Sequence, residues 1–418
     1  MKIIYLHQYF NTPNMSGGTR SYEMARRLVA AGHEVHMITS WRKEGSTKTG
    51  WFTTTEQGIN VHWFPVPYAN TMSYVQRIRA FFDFALAAKR KAVEIRGDVV
   101  FATSTPLTIA IPAVFAAKKH QVPMVFEVRD LWPELPVAIG ALRNPASIML
   151  AKMLEKWAYR NSDAVIALSP GMRDGVIKTG YPGDRVAVIP NSSDNREFKH
   201  DSAAATAFRK ARSWLGERPL LVYTGTFGRI NGVGYMVELA REIRNIDPEI
   251  RILLVGAGQE REQIIQQAKN QGVFEQNLFF EERLPKKEIP ALLSAANMAS
   301  SLFLNLKEMQ ANSANKFFDA LASSTPVMIN YGGWQHELIE THKCGLAMWR
   351  KPIREAAEII TKALRDEVWL AQTSTAARQL AEDKFDRDLL AQQLERVISA
   401  AANRAANEVK LITTENYP

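Results

Sequence analysis

The sequence predicts an α/β protein of two successive units, each a parallel sheet covered by helices. Three features lead there: the length, an alternating pattern, and a restart of that pattern. At 418 residues the chain is too long for one ordinary core. Short runs rich in β-branched and aromatic residues alternate with helix-length segments, as parallel strands buried on both faces require. The alternation pauses in a polar stretch at 191–215 and then begins again, which makes that stretch the natural linker.

Taken in order, the first strand covers 3–7 and leads to a Gly17-Gly18 turn. A helix follows with Met24, Leu28 and Ala31 on its apolar face and Gly32 where helices commonly end. Strands are expected at 34–39, 61–66, 98–103, 124–128, 164–168 and 186–189. In the second set, 220–223 runs into Gly225-Thr226-Phe227-Gly228, and a helix begins near Gly234. The strand at 251–255 ends at Gly256-Ala257-Gly258; further strands fall at 278–280, 299–304 and 327–330. Two such units place a binding crevice at the carboxyl ends of their strands. Neither glycine cluster completes a dinucleotide fingerprint and no Walker lysine pattern occurs, which disfavours an NAD oxidoreductase.

Composition narrows the class. With 46% hydrophobic and 23% charged residues the chain reads as soluble and globular. No apolar run approaches the ~20 residues that span a bilayer. The N-terminus has the look of a strand rather than a signal peptide. Cys344 is the only cysteine, which excludes an internal disulfide and fits a reducing compartment. Asn191-Ser192-Ser193 matches a glycosylation acceptor but reads as an ordinary loop without a secretion signal. His7, His33, His36 and His62 lack metal-ligand spacing, so no metal is expected. The net charge of +9 points to an anionic partner. Nucleic acid is disfavoured, because zinc-finger spacing and basic-aromatic RNA motifs are missing.

The ordered set of motifs is more specific than any one of them. Gly17-Gly18, "FEVRDLWPE" (126–134), "YTGTFGRING" (223–232), Val255-Gly256-Ala257-Gly258, Arg283-Leu284-Pro285 and "SANKFFDALASSTPV" (313–327) occur in that order. Together they resemble the retaining family-four nucleotide-sugar glycosyltransferases of the GT-B fold, two Rossmann-like domains facing each other across a deep crevice. The resemblance is strongest to the bacterial O-antigen branch typified by the N-acetyl-L-fucosamine (L-FucNAc) transferase. It implies an N-terminal acceptor-side domain at 1–195, a nucleotide-sugar domain at 215–385, and terminal helices at 386–418 returning to the first domain.

The resemblance also implies site residues. Asp319 falls where the family has a Glu that holds the donor's ribose hydroxyls, and a carboxylate offers two acceptor oxygens to such a pair. The helix start at 313–316, with Asn315 and Lys316, would direct amides, a dipole end and a cation at a diphosphate. Gly17, Gly18, Gly225, Thr226, Arg229, Asn231, Gly256, Arg283 and Leu284 complete the donor set. The sequence departs from the family in four further places. A second family Glu is Ala311 here, with Glu308 or Asn312 as candidate substitutes. Thr226 and Asn231 stand where relatives have an Arg and a Lys, leaving Arg229 as the nearest cation. Arg129 replaces the histidine of a His-Asp pair. Glu127, Arg129, Asp130 and Glu134 are the acceptor-side candidates for catalysis, or else a structural ion cluster.

The segment 72–97 carries six Lys/Arg against two acids, with Ile78, Phe81, Phe82, Ala85, Leu86 and Val93 at helical spacing. Residues 72–96 could lie on an anionic membrane, or form a core-packed helix with a solvated basic face. The expectation is a metal-independent retaining hexosyltransferase that needs no cofactor beyond its UDP-sugar substrate. It would act on a polyprenyl-diphosphate-linked glycan in O-antigen or capsule synthesis, in the cytoplasm at the inner face of the membrane. A UDP-HexNAc 2-epimerase and a non-catalytic nucleotide-sugar-binding partner subunit are the alternatives.

Overall fold

A computed structural model describes residues 1–15, 17–43, 47–68, 72–412 and 417. The chain forms two compact units, residues 1–190 with 388–417, and residues 191–387. Each is an α/β layer structure with a largely parallel sheet.

The first unit orders its strands β3-β4-β2-β1-β5-β6-β7-β8. These are β1 (Lys2–Leu6), β2 (Glu34–Trp41), β3 (Phe52–Glu56), β4 (Ile59–Pro65), β5 (Val99–Thr103), β6 (Met124–Val128), β7 (Ala164–Ala167) and β8 (Val186–Val188). All pair in parallel except the edge strand β3, which runs antiparallel to β4. Sequence reading missed β3 because its Phe-Thr-Thr-Thr-Glu run is half exposed and barely apolar. The connecting helices are α1 (Arg20–Ala30), α2 (Tyr74–Glu94), α3 (Ala110–His120), α4 (Glu134–Ala138), α5 (Pro145–Arg160) and α6 (Pro170–Lys178). Local chemistry starts several of them. Ser73 and Gln76 form a reciprocal capping box on α2, while Asn144 and Ser169 cap α5 and α6, each ahead of a proline.

The second unit contains α7 (Ser202–Lys210), β9 (Leu220–Thr224), α8 (Tyr235–Ile246), β10 (Arg251–Val255), α9 (Arg261–Asn270), β11 (Leu278–Glu281) and α10 (Ile289–Ala295). It continues with β12 (Met298–Ser301), α11 (Asn315–Ala322), β13 (Val327–Ile329), α12 (Trp334–His342), β14 (Gly345–Ala347), α13 (Ile353–Arg365) and α14 (Glu367–Lys384). Its sheet is parallel throughout, in the order β11-β10-β9-β12-β13-β14. The strands bury Leu221, Ile252 and Leu254 against Val237, Leu239 and Ile360 of the covering helices.

The last long helix, α15 (Arg387–Ala402), lies for nearly all its length in the first unit. Leu390, Leu394, Val397 and Ile398 join Met24, Ala25 and Leu28 of α1 on one sheet face, over Ile3, Tyr5 and Phe101. Residues 413–416 and 418 of the expected terminal segment lie outside the described residues. The stretch 191–215 is not a linker. Residues 191–195 are buried in the second unit, and α7 packs on α10. The units divide at Pro190 and at Arg387 rather than at 195 and 385. Polarity misled the reading here, because the Asn191, Ser193 and Asn195 side chains donate hydrogen bonds to Ser313, Asp319 and Ala381 of the second unit.

One buried ion pair ties the carboxyl end of the first sheet together. Glu127 on β6 is fully buried and accepts from Arg20 of α1 at 2.8 and 3.0 Å, and from Thr103 of β5 at 2.7 Å. Arg20 also donates to the carbonyls of Ile189 and Pro190, the last residues before the second unit. Burial alone would raise the Glu127 carboxyl, but the Arg20 charge and hydrogen bonds outweigh it and hold it below the usual value. With a folded value below the unfolded one, its stabilisation is present above the ordinary carboxylate range and lost as pH falls through the depressed value. Arg20→Met should lower the stability of the first unit by about 3–5 kcal/mol in urea unfolding, since it strands a buried carboxylate. Arg20→Met with Glu127→Leu should lose much less; equal losses would show that the charge is not the issue.

Candidate functional site

In the second unit Gly225, Gly256 and Lys316 gather at the switch point of the sheet, whereas Arg283 and Leu284 follow the edge strand β11. β9 pairs with β10 on one side and β12 on the other, so the loops that follow β9 and β12 diverge there. Glycine is required at two positions by close backbone approach. A Cβ on Gly256, at φ +150°, would lie 1.8 Å from the Gly225 carbonyl oxygen, and one on Gly258 would lie 2.3 Å from that of Phe227. The two loops are stitched together by Gly225 N–H to Val255 and Phe227 N–H to Ala257, at 3.0 and 2.9 Å.

Beside them, α11 begins at Asn315 after Ala314, a cap residue whose side chain can bond no amide. Ser313, expected at the helix opening, is buried and accepts from the Asn191 amide at 3.0 Å. Lys316 lies 4.6 Å over the Tyr223 ring, donates to its hydroxyl at 3.3 Å, and meets no carboxylate among the described residues. Its ammonium comes 3.1 Å from where a Cβ on Gly225 would stand. Burial pushes that ammonium down to about 8.

Asp319, one turn further along α11, accepts from Ser193 at 2.7 Å through one oxygen. Burial raises its carboxyl, moderated by that hydrogen bond and by the Arg387 and Lys286 charges. Arg229 and Arg283 are exposed and without side-chain partners among the described residues, Thr226 is exposed, Leu284 is half-buried and Asn231 is buried. Of the two substitutes for the missing acid at Ala311, Asn312 is committed to Met309 and Ala314, whereas Glu308 has no ion-pair partner among the described residues.

In the first unit the expected cluster of acids comes apart. Glu127 points into the sheet interior and belongs to Arg20, which removes it as a proton acceptor for a substrate. Glu134 opens α4 and is exposed. Arg129 and Asp130 remain at the end of β6; Asp130 accepts from Thr105 at 3.0 Å, and burial raises its carboxyl. Gly17 and Gly18 are exposed, and the Gly18 carbonyl accepts from Asn11 at 3.2 Å. Sequence reading missed His7 and Arg42, which the fold brings to Arg129. Only their places just after strands hinted at them.

Helix α2 is more firmly packed than the membrane expectation assumed. Phe84, Ala85, Ala88 and Ala92 are buried; Phe82 and Leu86 face outward. Lys91 pairs with Glu94 at 3.0 Å, and Lys89 lies 3.7 Å over the Phe115 ring.

Two family models match the chain: a glycosyl transferase 4-like domain over residues 17–192, and glycosyl transferases group 1 over residues 205–380. WcaI of Escherichia coli K12, named as a colanic acid biosynthesis glycosyl transferase, is 23% identical over 401 residues, covering 91% of this chain and 96% of its own. The N-acetyl-alpha-D-glucosaminyl L-malate synthase of Bacillus anthracis is 23% identical over 388 residues, covering 92% and 94%. Among solved structures, Anabaena HepE in complex with UDP and glucose superposes with a TM-score of 0.72 at 18% identity, covering 96% of this chain and 100% of HepE. Sucrose-phosphate synthase from Thermosynechococcus elongatus gives 0.75 at 17% identity, covering 95% and 98%. With both halves matched by glycosyl transferase models and both sheets folded as in these structures, the chain belongs to the GT-B glycosyltransferases that pair a 4-like domain with a group 1 domain.

Proposed function

We propose that this glycosyltransferase moves a hexosyl group from a UDP-sugar to a lipid-linked glycan with retention of anomeric configuration, in synthesis of a surface polysaccharide. The observation that carries the donor assignment is the pairing of Lys316, a cation without a carboxylate among the described residues, with the glycine-lined backbone at Gly225. A diphosphate supplies the missing negative charge. The α11 amides and Arg229 would add donors, and Asp319 would accept from ribose hydroxyls through the oxygen that Ser193 leaves open. HepE, crystallised with UDP and glucose, supports the choice of nucleotide.

In the reaction the bond from the anomeric carbon to the diphosphate oxygen breaks as that from the acceptor hydroxyl oxygen forms. The acceptor proton passes to the departing phosphate, whose growing charge Lys316 and the helix amides stabilise. This assigns no catalytic task to Glu127 and requires no metal from the protein. The colanic acid role in WcaI's name supports a surface-polysaccharide acceptor, and N-acetyl-L-fucosamine remains the proposed hexosyl group on sequence resemblance. Contact with an anionic membrane is proposed through α2, where Arg79 and Arg90 are exposed beside Phe82 and Leu86.

Product analysis tests the reaction: an NMR spectrum of the glycan formed from an α-linked UDP-sugar should show an α linkage, with turnover preserved in EDTA. A β linkage, or conversion of donor without acceptor, would reject it. Asp319→Ala should weaken UDP and uridine alike by about 1.5–3 kcal/mol in calorimetric titration. Lys316→Ala and Arg229→Ala should weaken UDP more than uridine.

The Lys316 ammonium loses its proton near pH 8 in the free protein, so the preference for UDP over uridine should shrink between pH 7 and 9. A constant preference would show that Lys316 does not bind the diphosphate. Gly256→Ala should abolish UDP binding and lower the melting temperature of the second unit. Gly228→Ala should be tolerated, since its Cβ would meet nothing closer than 3.5 Å.

A further inference from the structure

The first unit holds two guanidinium groups, those of Arg42 and Arg129, that form no ion pair among the described residues and gather about a buried histidine at its own switch point. β1 pairs with β2 on one side and β5 on the other, so the loops leaving them diverge. His7 directly follows β1, Arg42 follows β2, Ser104 and Thr105 follow β5, and Arg129 follows β6. His7 is 3% exposed, and its Nε2 lies 3.4 Å from Arg129 Nη1. A guanidinium can only donate, so Nε2 accepts and the proton resides on Nδ1. That buried Nδ1–H has no partner among the described residues. Burial, then the charges of Arg129 and Arg42, hold the imidazole well below its usual range and therefore neutral.

Arg42 donates to the Phe10 carbonyl at 3.2 Å and to Asn11 Oδ1, and lies 5.3 Å over the Tyr9 ring. Its Nε is buried without a partner among the described residues. The two acids that act on Arg129 are engaged elsewhere, Glu127 with Arg20 and Asp130 with Thr105. A half-buried cation is costly unless paired, and the guanidinium fork matches the geometry of carboxylate and phosphate oxygens.

We propose that His7, Arg42 and Arg129 form an oxyanion-binding subsite that takes a carboxylate or phosphoryl group borne by a glycosyl substrate. Which molecule bears the group rests on the glycosyl-transfer reading; that an oxyanion binds here does not. Two sources share the chemistry: a sugar carboxylate and the diphosphate of a lipid-linked acceptor. Glucuronate probes the first, with its methyl ester as the neutral control, and methylenediphosphonate probes the second.

Each is titrated calorimetrically against the full chain with UDP saturating, so that the donor site is filled. If UDP does not bind, the donor assignment fails while the same titrations without it still report on this subsite. One of the two probes should bind the parent, the ester should not compete with glucuronate, and the Arg42→Gln/Arg129→Gln double variant should lose about tenfold or more in affinity. UDP affinity should be unchanged in that variant, and His7→Phe should lose part of the probe affinity. Failure of both probes to bind the parent at tens of millimolar, or equal binding by parent and double variant, would overturn the assignment. Without anions, Arg129→Gln should melt no lower than the parent, because it removes an unpaired cation. A marked drop would reveal a structural partner and would also overturn it.

Discussion

Parallel pairing is the constraint on which everything functional in this chain depends. A strand that pairs in parallel with the next must be followed by a return crossing, so the chain leaves every such strand at the same edge of the sheet. In each unit one strand has neighbours reached in opposite directions, β1 in the first and β9 in the second. The loops leaving that strand and its far neighbour, β5 or β12, turn away from one another, which is where such sheets place their ligands. Gly225 and α11 flank the opening in the second unit; His7 and Thr105 flank it in the first. The covering helices make this arrangement durable, with α1 and α15 sharing one apolar layer over the first sheet.

Charge is distributed over the two units in a way that separates support from function. Cations that hold the fold are saturated. Arg20 meets Glu127 and two carbonyls, Arg212 meets Glu281 at 2.6 and 2.7 Å, and Arg209 caps the carbonyls of Ala295, Gly216 and Arg218. Lys316, Arg42 and Arg129 sit in loops or at a helix start at the carboxyl ends of strands, half-buried, with rings, carbonyls or an imidazole for company and no ion pair among the described residues. A buried cation left in that state lowers stability by itself, and a fold retains it when a ligand supplies the counter-charge. The same reasoning demotes Glu127: a carboxylate held below its usual range by an arginine is a poor base however well placed it looks in the sequence.

Much of the architecture was legible in the residues. Strand runs, the Gly17-Gly18 turn and the glycines at 225, 256 and 258 are local signals, since a pleated strand has a fixed period and a backbone forced against another backbone admits only glycine. The placement of Asp319 on a short helix beside those glycines was legible for the same reason. What only the tertiary structure decided was which charges meet. Arg20 lies 107 positions from Glu127, His7 lies 122 from Arg129, and Ser193 lies 126 from Asp319. No periodicity spans such separations. A one-residue step along β6 therefore decides whether an acid faces an arginine inside the sheet or the loop beyond it, and the polar run at 191–195 looks like a linker until its partners fold over it.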